Sequence, residues 1–333
     1  MAGRVMLREF ATPAPAISIL ALVRDAAHPV DAALDSVLAQ DMRDWELILI
    51  DIGEAAAASA AFAAALARRR DPRLRLLRLE GAGAAVARSR AMAESRGEGM
   101  LLLDTRDWLA PGALARLAEA LAAAPEAVGA HGGCAVMAET ARPGDRPLRG
   151  RQPALPHGDL LEQLLVGNPF ADGGQLLLRR EAVRQAGPFL PHLRLGEDWE
   201  YWIRLSLLGP WAAVPGGGPV LHLRRRAGRA GHRMPRDPAS IAPAMLAIWG
   251  NPALEARLGR ARFLTLQRRA EAEAAWTIGQ ELIRDGQRAA GLERLRASVA
   301  QAPTPRRALL LAAAHALPML PRALHGPFVA YPG

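Results

Sequence analysis

Hydrophobic positions in the first two thirds of the chain follow two alternating patterns. Short, largely apolar runs occur at residues 17–23, 46–51, 74–79 and 100–104, and such runs are typical of strands buried on both faces of a parallel sheet. Between them, apolar residues recur three and four positions apart, as at residues 30–38, which predicts helices with one buried face. The alternation predicts an α/β fold with a mostly parallel sheet flanked by helices.

The same patterns continue less regularly after residue 120. Strands are predicted at residues 127–137, 175–178, 211–214 and 219–223, and helices are predicted from Arg180 and over residues 198–208. We therefore expect one α/β domain over residues 17–237, preceded by a tail of residues 1–16.

From about residue 238 the pattern changes to alanine-rich helices that carry Glu and Arg. A faint resemblance to a tetratricopeptide-like helical hairpin is carried by Trp276, Gly279, Gly286, Ala289, Leu295, Ala300 and Pro303. One such repeat cannot form a solenoid, so we expect residues 238–333 to pack against the first domain or against a partner.

The amino-acid composition limits the classes of binding partner that can be expected. The 333 residues carry a formal net charge of +9, and all 42 basic residues are Arg. Basic runs such as Arg68-Arg69-Arg70 are short, and aromatic residues make up only 5%, which leaves little material for stacking on nucleic-acid bases. The charge therefore argues for sugar phosphates or anionic lipid as partners, and against nucleic acid.

The cysteine content and the lengths of the apolar segments predict where in the cell the protein is located. Cys134 is the single cysteine, so no intrachain disulfide can form and we expect a reducing compartment and a packing role for its side chain. The first 16 residues contain no apolar stretch of signal-peptide length, and no segment reaches the length of a membrane span. We expect a cytoplasmic protein, with peripheral contact to the inner face of the membrane as an option.

Carboxylates follow two of the predicted strands. Asp51 ends the second strand, and Asp104 and Asp107 follow the fourth with Arg106 between them. Ligands of parallel sheets bind beyond the carboxyl ends of the strands, and paired acids there commonly hold a divalent cation that neutralises a diphosphate. Each acid taken alone also fits a helix cap or turn. Two roles are open for Arg106: its positive charge either weakens a metal site by repelling the cation, or its guanidinium binds phosphate directly.

Two further segments carry candidate chemistry. Small residues at 81–83 precede a helix that bears Arg88, an arrangement suited to a diphosphate and also to an ordinary loop. Glu197 and Asp198 start another helix, either as capping acids or with one of them as a general base. The nearby Trp199 and Trp202 are expected in the core.

The chain resembles glycosyltransferase family 2 over approximately residues 16–233. The resemblance is carried in order by residues 34–40 (LDSVLAQ), 45–51 (WELILID), 87–89 (ARS), 103–108 (LDTRDW) and 196–199 (GEDW). It implies the GT-A fold and inverting transfer of a sugar from a nucleotide-diphosphate sugar, usually assisted by Mg²⁺ or Mn²⁺.

The resemblance also implies roles for particular residues. Asp51 matches the first acid of the family's base-binding pair, and Arg88 matches the arginine of its Ala-Arg-Asn element. Asp104 opens its Asp-x-Asp metal motif, in which Arg106 stands at the second acid, so Arg106 is a candidate donor-binding residue. Asp107 is a further candidate metal ligand because of its place beside Asp104 at the strand end, and not because of the resemblance. Asp198 matches the catalytic base, with Glu197 as its neighbour.

Three departures lie on the donor side. Residues 22–25 read Leu-Val-Arg-Asp where the family has Pro-Thr-Tyr-Asn, Ile52 replaces the second base-binding acid, and Arg106 replaces a metal ligand. Rewired donor binding, metal-independent transfer and lost catalysis all remain open. We expect a transferase that acts on a glycan or lipid-linked acceptor, as in polysaccharide biosynthesis. The alternative is an inactive relative that binds a glycan, a nucleotide or a partner protein.

Overall fold

The computed structural model describes residues 15–23, 30–148, 155–224 and 240–316. The strands of these residues are β1 (Ile17–Val23), β2 (Trp45–Asp51), β3 (Leu74–Arg78), β4 (Gly99–Asp104), β5 (Trp108–Leu109), β6 (Gly129–His131), β7 (Gly133–Met137), β8 (Leu176–Arg179), β9 (Trp211–Ala213) and β10 (Pro219–Arg224). Most of the predicted tail and the predicted domain boundary at residues 237–238 lie outside the described residues.

Helices separate most of these strands and form the C-terminal part. They are α1 (Asp31–Leu38), α2 (Ala56–Arg69), α3 (Ala84–Glu94), α4 (Ala113–Ala122), α5 (Leu161–Val166), α6 (Arg180–Ala186), α7 (Glu197–Ser206), α8 (Ala242–Trp249), α9 (Pro252–Leu258), α10 (Arg260–Arg284), α11 (Arg288–Gln301) and α12 (Pro305–Ala316). No helix among the described residues is long and apolar enough to cross a membrane.

The main sheet has seven strands in the order β3-β2-β1-β4-β8-β6-β9. Strands β3, β2, β1 and β4 run parallel, whereas β8 is antiparallel to both of its neighbours, β4 and β6. Strand β9 is parallel to β6. The predicted mostly parallel α/β sheet is therefore confirmed.

A smaller sheet of three strands, β5-β10-β7, adjoins the main one. The prediction of a single strand over residues 127–137 is wrong, because the chain leaves the main sheet at Gly132 and continues as β7 in the small sheet. Gly132 runs so close to β10 that a Cβ there would lie 2.4 Å from Val220 Cγ1. Strand β5 was not predicted, since two residues are too short to show a period.

Side chains of β1 alternate between two apolar cores, one on each face of the main sheet. Ile17 and Ile19 pack with α1, α2 and α4, whereas Leu20 and Leu22 pack with α3, α5 and α7. The second core also takes side chains of three C-terminal helices: Ile248 of α8, Leu254 of α9, and Phe263 and Leu266 of α10. Of the two expected options, packing against the first domain is the one observed for α8, α9 and α10.

Helices α10 and α11 form the expected hairpin, with a turn at residues 285–287. Glycines allow the two backbones to approach closely: a Cβ on Gly291 would lie 2.6 Å from the carbonyl oxygen of Gly279. Trp276 and Leu295 pack together with side chains of α12.

Cys134 has the packing role that was expected. Its side chain is buried, and its thiol donates a hydrogen bond to Gln175 Oε1 at 2.8 Å. Burial, reinforced by the charges of Asp172 and Asp107, raises the pKa of this thiol well above its usual value. The thiol is therefore kept protonated and unreactive.

Candidate active site

The sheet register places Asp51 and Asp104 on either side of the end of β1. Val23 lies opposite Asp51 on β2, and Leu22 lies opposite Asp104 on β4. The two carboxylates therefore lie at the same edge of the parallel half of the sheet, as predicted. This edge is where ligands of such sheets bind.

Asp51 is fully buried, and its two carboxylate oxygens differ in hydrogen bonding. Oδ1 accepts a hydrogen bond from the backbone N–H of Gly53 at 3.0 Å. Oδ2 is buried without a hydrogen-bond partner among the described residues. A buried carboxylate oxygen without a donor is costly, so a ligand that brings an N–H group would be stabilised here.

Asp104 is bound on both oxygens by Arg106. Oδ1 accepts from the Arg106 backbone N–H at 3.0 Å and from Nε at 2.9 Å, and Oδ2 accepts from Nη2 at 2.5 Å. These hydrogen bonds raise the pKa of Arg106 above its usual value, and they outweigh the opposing effect of burial. The turn after β4 thus presents a joined acid and guanidinium instead of two free acids.

Asp107 belongs to the contact between this turn and the small sheet. Its carboxylate is fully buried, and Oδ1 accepts from the backbone N–H of Arg224 on β10 at 2.8 Å. The ring of the next residue, Trp108, has its centroid 5.5 Å from that of the His222 ring and 5.1 Å from the guanidinium carbon of Arg224. The structure therefore places Asp107 where it holds the turn to β10. Its assignment as a metal ligand stays a prediction.

Arg88 joins α3 to the start of α7. Its Nη1 group donates to Glu197 Oε1 at 3.1 Å and to Asp198 Oδ1 at 2.7 Å. Burial lowers the pKa of Arg88, but the charges of nearby carboxylates outweigh burial and hold the pKa above its usual value. In decreasing order of effect, these carboxylates belong to Asp198, Glu197, Asp172 and Asp104. The Arg88 guanidinium is thus affected by the charges of Asp104 after β4 and of Glu197 and Asp198 at the start of α7.

The two acids of α7 have different surroundings. Burial, and next the charge of Asp198, raise the pKa of Glu197, although Arg88 opposes both. Asp198 is more exposed, with 29% of its side chain accessible against 11% for Glu197. Oδ1 of Asp198 is held by Arg88, while the described residues supply no hydrogen bond to Oδ2.

Gly196, the residue before α7, has a backbone conformation that favours glycine, with φ at +79°. A Cβ there would lie 2.8 Å from Ala244 Cβ on α8. The start of α7 is therefore fixed both by its backbone conformation and by close contact with α8.

The aromatic residues around the acid pair are structural. Trp199 and Trp202 are buried, as expected, and Trp199 Nε1 donates to the carbonyl of Leu164 at 2.6 Å. Phe189 stacks on Tyr201 with ring centroids 4.1 Å apart, and its backbone N–H bonds to Ser89 Oγ on α3. These contacts hold α3 and α7 together and so support the contact between Arg88 and the acids.

Asp172 is a member of the site that the sequence did not reveal. Its Oδ1 accepts from the backbone N–H of Gly174 at 2.9 Å, capping a short 3-10 helix, and its charge acts on both Arg88 and Arg106. An Asp before two glycines is a common turn sequence, so the only signal was one shared with many loops.

Comparison with known proteins decides the family. The family model for glycosyl transferase family 2 matches residues 18–187, about half of the chain. The chain belongs to glycosyltransferase family 2. This match ends before Glu197 and Asp198, so their assignment depends on the contacts with Arg88. No curated protein matches this family member in sequence.

Solved structures share the GT-A fold of this family 2 member. S. aureus TarS 1–349 in complex with UDP-GlcNAc is 14% identical with a TM-score of 0.61, and the match covers 90% of this chain and 87% of that one. The mannosyltransferase PcManGT from Pyrobaculum calidifontis, in complex with GDP-Man and Mn²⁺, is 19% identical with a TM-score of 0.54, covering 94% and 83%. Identities this low show the fold alone.

Proposed function

We propose that this glycosyltransferase moves a sugar from a nucleotide-diphosphate sugar to an acceptor hydroxyl with inversion at the anomeric carbon. The observation that carries the proposal is the contact of Arg88 with Glu197 and Asp198, within the field of Asp104 at the strand ends. It supports one site in which the donor lies at the sheet edge and the acceptor lies at the start of α7.

Asp198 is the proposed general base. Its carboxylate is anchored through Oδ1 and partly exposed, so Oδ2 is suited to accept a proton from the acceptor. The acceptor oxygen then forms its bond to the anomeric carbon while the bond to the nucleotide diphosphate breaks. The proton ends on Asp198, and the diphosphate leaves with the bonding electrons. Such base assistance typically contributes about 10² to 10⁴ in rate.

The donor's nucleotide base is assigned to Asp51, whose buried Oδ2 offers an acceptor for a ring N–H group. A nucleotide-diphosphate sugar as donor is supported by two structures of similar fold, which are complexes with UDP-GlcNAc and with GDP-Man. The acceptor class that follows from the family resemblance is a glycan or a lipid-linked sugar.

A second candidate function is binding without catalysis. It is favoured by the pairing of Asp104 with Arg106 and by Ile52 in place of an acid. In that case the fold would hold a nucleotide, a glycan or a partner protein, and Asp198 would serve only as a partner of Arg88.

The test is release of nucleotide diphosphate from a panel of UDP-, GDP- and dTDP-sugars, with and without Mn²⁺, together with calorimetric binding of the free diphosphates. Turnover of one donor class, faster with an acceptor glycan, is the expected result. Binding of a diphosphate without turnover of any donor would favour the second candidate. Absence of both binding and turnover would refute nucleotide-sugar transfer.

A further inference from the structure

The residues at the end of β4 do not fit a divalent cation. A cation ligated by Asp104 would compete with the guanidinium that already bonds to both carboxylate oxygens. Asp107 is fully buried and bonded to a backbone N–H on β10. Across the described residues no group of three or more His, Cys, Asp or Glu side chains is arranged to hold a metal ion. The ligand set typical of Mg²⁺ or Mn²⁺, several oxygens converging on one point, is therefore not assembled here.

The Arg106 guanidinium keeps N–H donors that are not used in its hydrogen bonds to Asp104. A guanidinium carries five N–H donors, and Asp104 takes one from Nε and one from Nη2. The hydrogen bonds of Arg106 among the described residues all go to Asp104, so the two donors of Nη1 and the second donor of Nη2 remain. With 30% of its side chain accessible, Arg106 can present these donors to a ligand. Adjacent donors in one plane match the oxygens of a phosphate.

The local charge is the same with Arg106 as with a metal. Two acids and one divalent cation sum to zero, and so do Asp104 and Arg106. A diphosphate would therefore meet no additional negative charge at this turn. Asp104 also keeps the guanidinium in a fixed orientation, which lowers the entropy lost when phosphate binds.

We propose that Arg106, oriented by Asp104, binds the donor diphosphate directly and takes the place of the divalent cation. This inference rests on the proposed function, because it assigns the diphosphate of that same donor. It makes Arg106 a binding residue and Asp104 a positioning residue, and it predicts that nucleotide binding is independent of Mn²⁺.

The test compares nucleosides with their diphosphates by calorimetry: uridine with UDP, guanosine with GDP, and thymidine with dTDP, each in EDTA and in Mn²⁺. The affinity ratio of diphosphate to nucleoside isolates the contribution of the phosphates. For the base that binds, the wild-type protein is expected to show a ratio of about tenfold or more in EDTA. Mn²⁺ should leave that ratio unchanged within about twofold.

Variants then assign the phosphate contribution to Arg106. R106A should lower the ratio in EDTA to near one while nucleoside affinity stays constant, which also shows that the variant is folded. R106D places an acid two residues after Asp104, so its diphosphate binding should require Mn²⁺. R90A is the matched control, because Arg90 is an exposed arginine in a local pair with Glu94 on α3, and it should behave as wild type.

The outcomes separate this inference from the proposed function. A wild-type ratio near one in EDTA that rises with Mn²⁺ would overturn the role of Arg106 and leave the transferase proposal standing. An unchanged ratio in R106A, or tight binding of the diphosphate by R106D in EDTA, would overturn it as well. If no nucleoside and no diphosphate binds in EDTA or in Mn²⁺, both the proposed function and this inference are refuted.

Discussion

The site contains two clusters of arginine and carboxylate that are built in different ways. Arg106 and Asp104 are two residues apart in one turn, and their side chains are 30% and 21% accessible. Arg88 reaches Glu197 and Asp198 across more than a hundred residues, and its side chain is only 16% accessible. A local pair forms wherever its turn forms, whereas the long-range cluster requires that α3 and α7 already be packed. Loss of Arg88 should therefore affect both the fold and the site, and loss of Arg106 mainly the site.

The largest expected effect separates catalysis from structure within the long-range cluster. D198N keeps the size of the side chain and a hydrogen-bond acceptor for Arg88, but it removes the base. We expect the turnover rate to fall by about 10² to 10⁴ while the affinity for nucleotide diphosphate stays constant. Steady-state kinetics and calorimetry measure the two quantities. E119Q, at an exposed position on α4, is the control and should keep full activity. Full activity in D198N would show that Asp198 is not the base.

Removal of Arg88 should have the largest effect on stability. R88A leaves two acids next to each other, one of them almost buried, without their cation. We expect the free energy of unfolding to fall by about 3 kcal/mol, as measured by denaturant titration. R88K restores the charge without the planar guanidinium and should recover part of the loss. If R88A is as stable as wild type, the two clusters do not differ in the way described above.

The local pair should contribute much less to stability. R106A removes a partly exposed ion pair, and we expect the free energy of unfolding to change by no more than about 1 kcal/mol. The same denaturant titration, run beside R88A, gives the comparison directly. A loss as large as that of R88A would show that the turn after β4 depends on Arg106 for its fold.

The smallest effect concerns the pH dependence of stability. Burial raises the pKa of Glu197 in the folded protein, so between the unfolded value near 4.5 and the raised value the folded state holds a proton that the unfolded state has released. The contribution of Glu197 to stability is therefore greatest below that window and declines as the pH rises through it. E197Q should remove this decline and raise the melting temperature slightly at neutral pH. A steeper decline in E197Q would contradict the sign.

Much of the donor side was predictable because it is encoded locally. The apolar runs ending in Asp51 and Asp104 predict parallel strands, and parallel strands bring their ends to one edge. The position of Arg106 beside Asp104 is also visible in the sequence, although the bidentate bond is not. Local pattern is sufficient where the contacts are between neighbours in the chain or in adjacent strands.

The remaining parts depend on packing that no local pattern contains. The bond between Arg88 and Asp198 depends on how α3 meets α7. The sequence offered both residues as candidates but did not indicate that they are in contact. Asp172 joins the site from a loop of ordinary composition. The hydrogen bond from the Arg224 backbone N–H to Asp107 was not predictable either, because it depends on the pairing of the two-residue strand β5 with β10. Such short segments acquire their structure from their neighbours.

The close contact at Gly196 joins the C-terminal helix α8 directly to the start of α7, which carries the two acids of the candidate site. Only a hydrogen atom fits between the start of α7 and Ala244 of α8, so the two cannot move toward each other independently. A displacement of α8 toward α7 would therefore press directly on Gly196, the residue before Glu197. Any side chain larger than hydrogen at Gly196 would therefore have to displace either α8 or the start of the helix that carries Glu197 and Asp198.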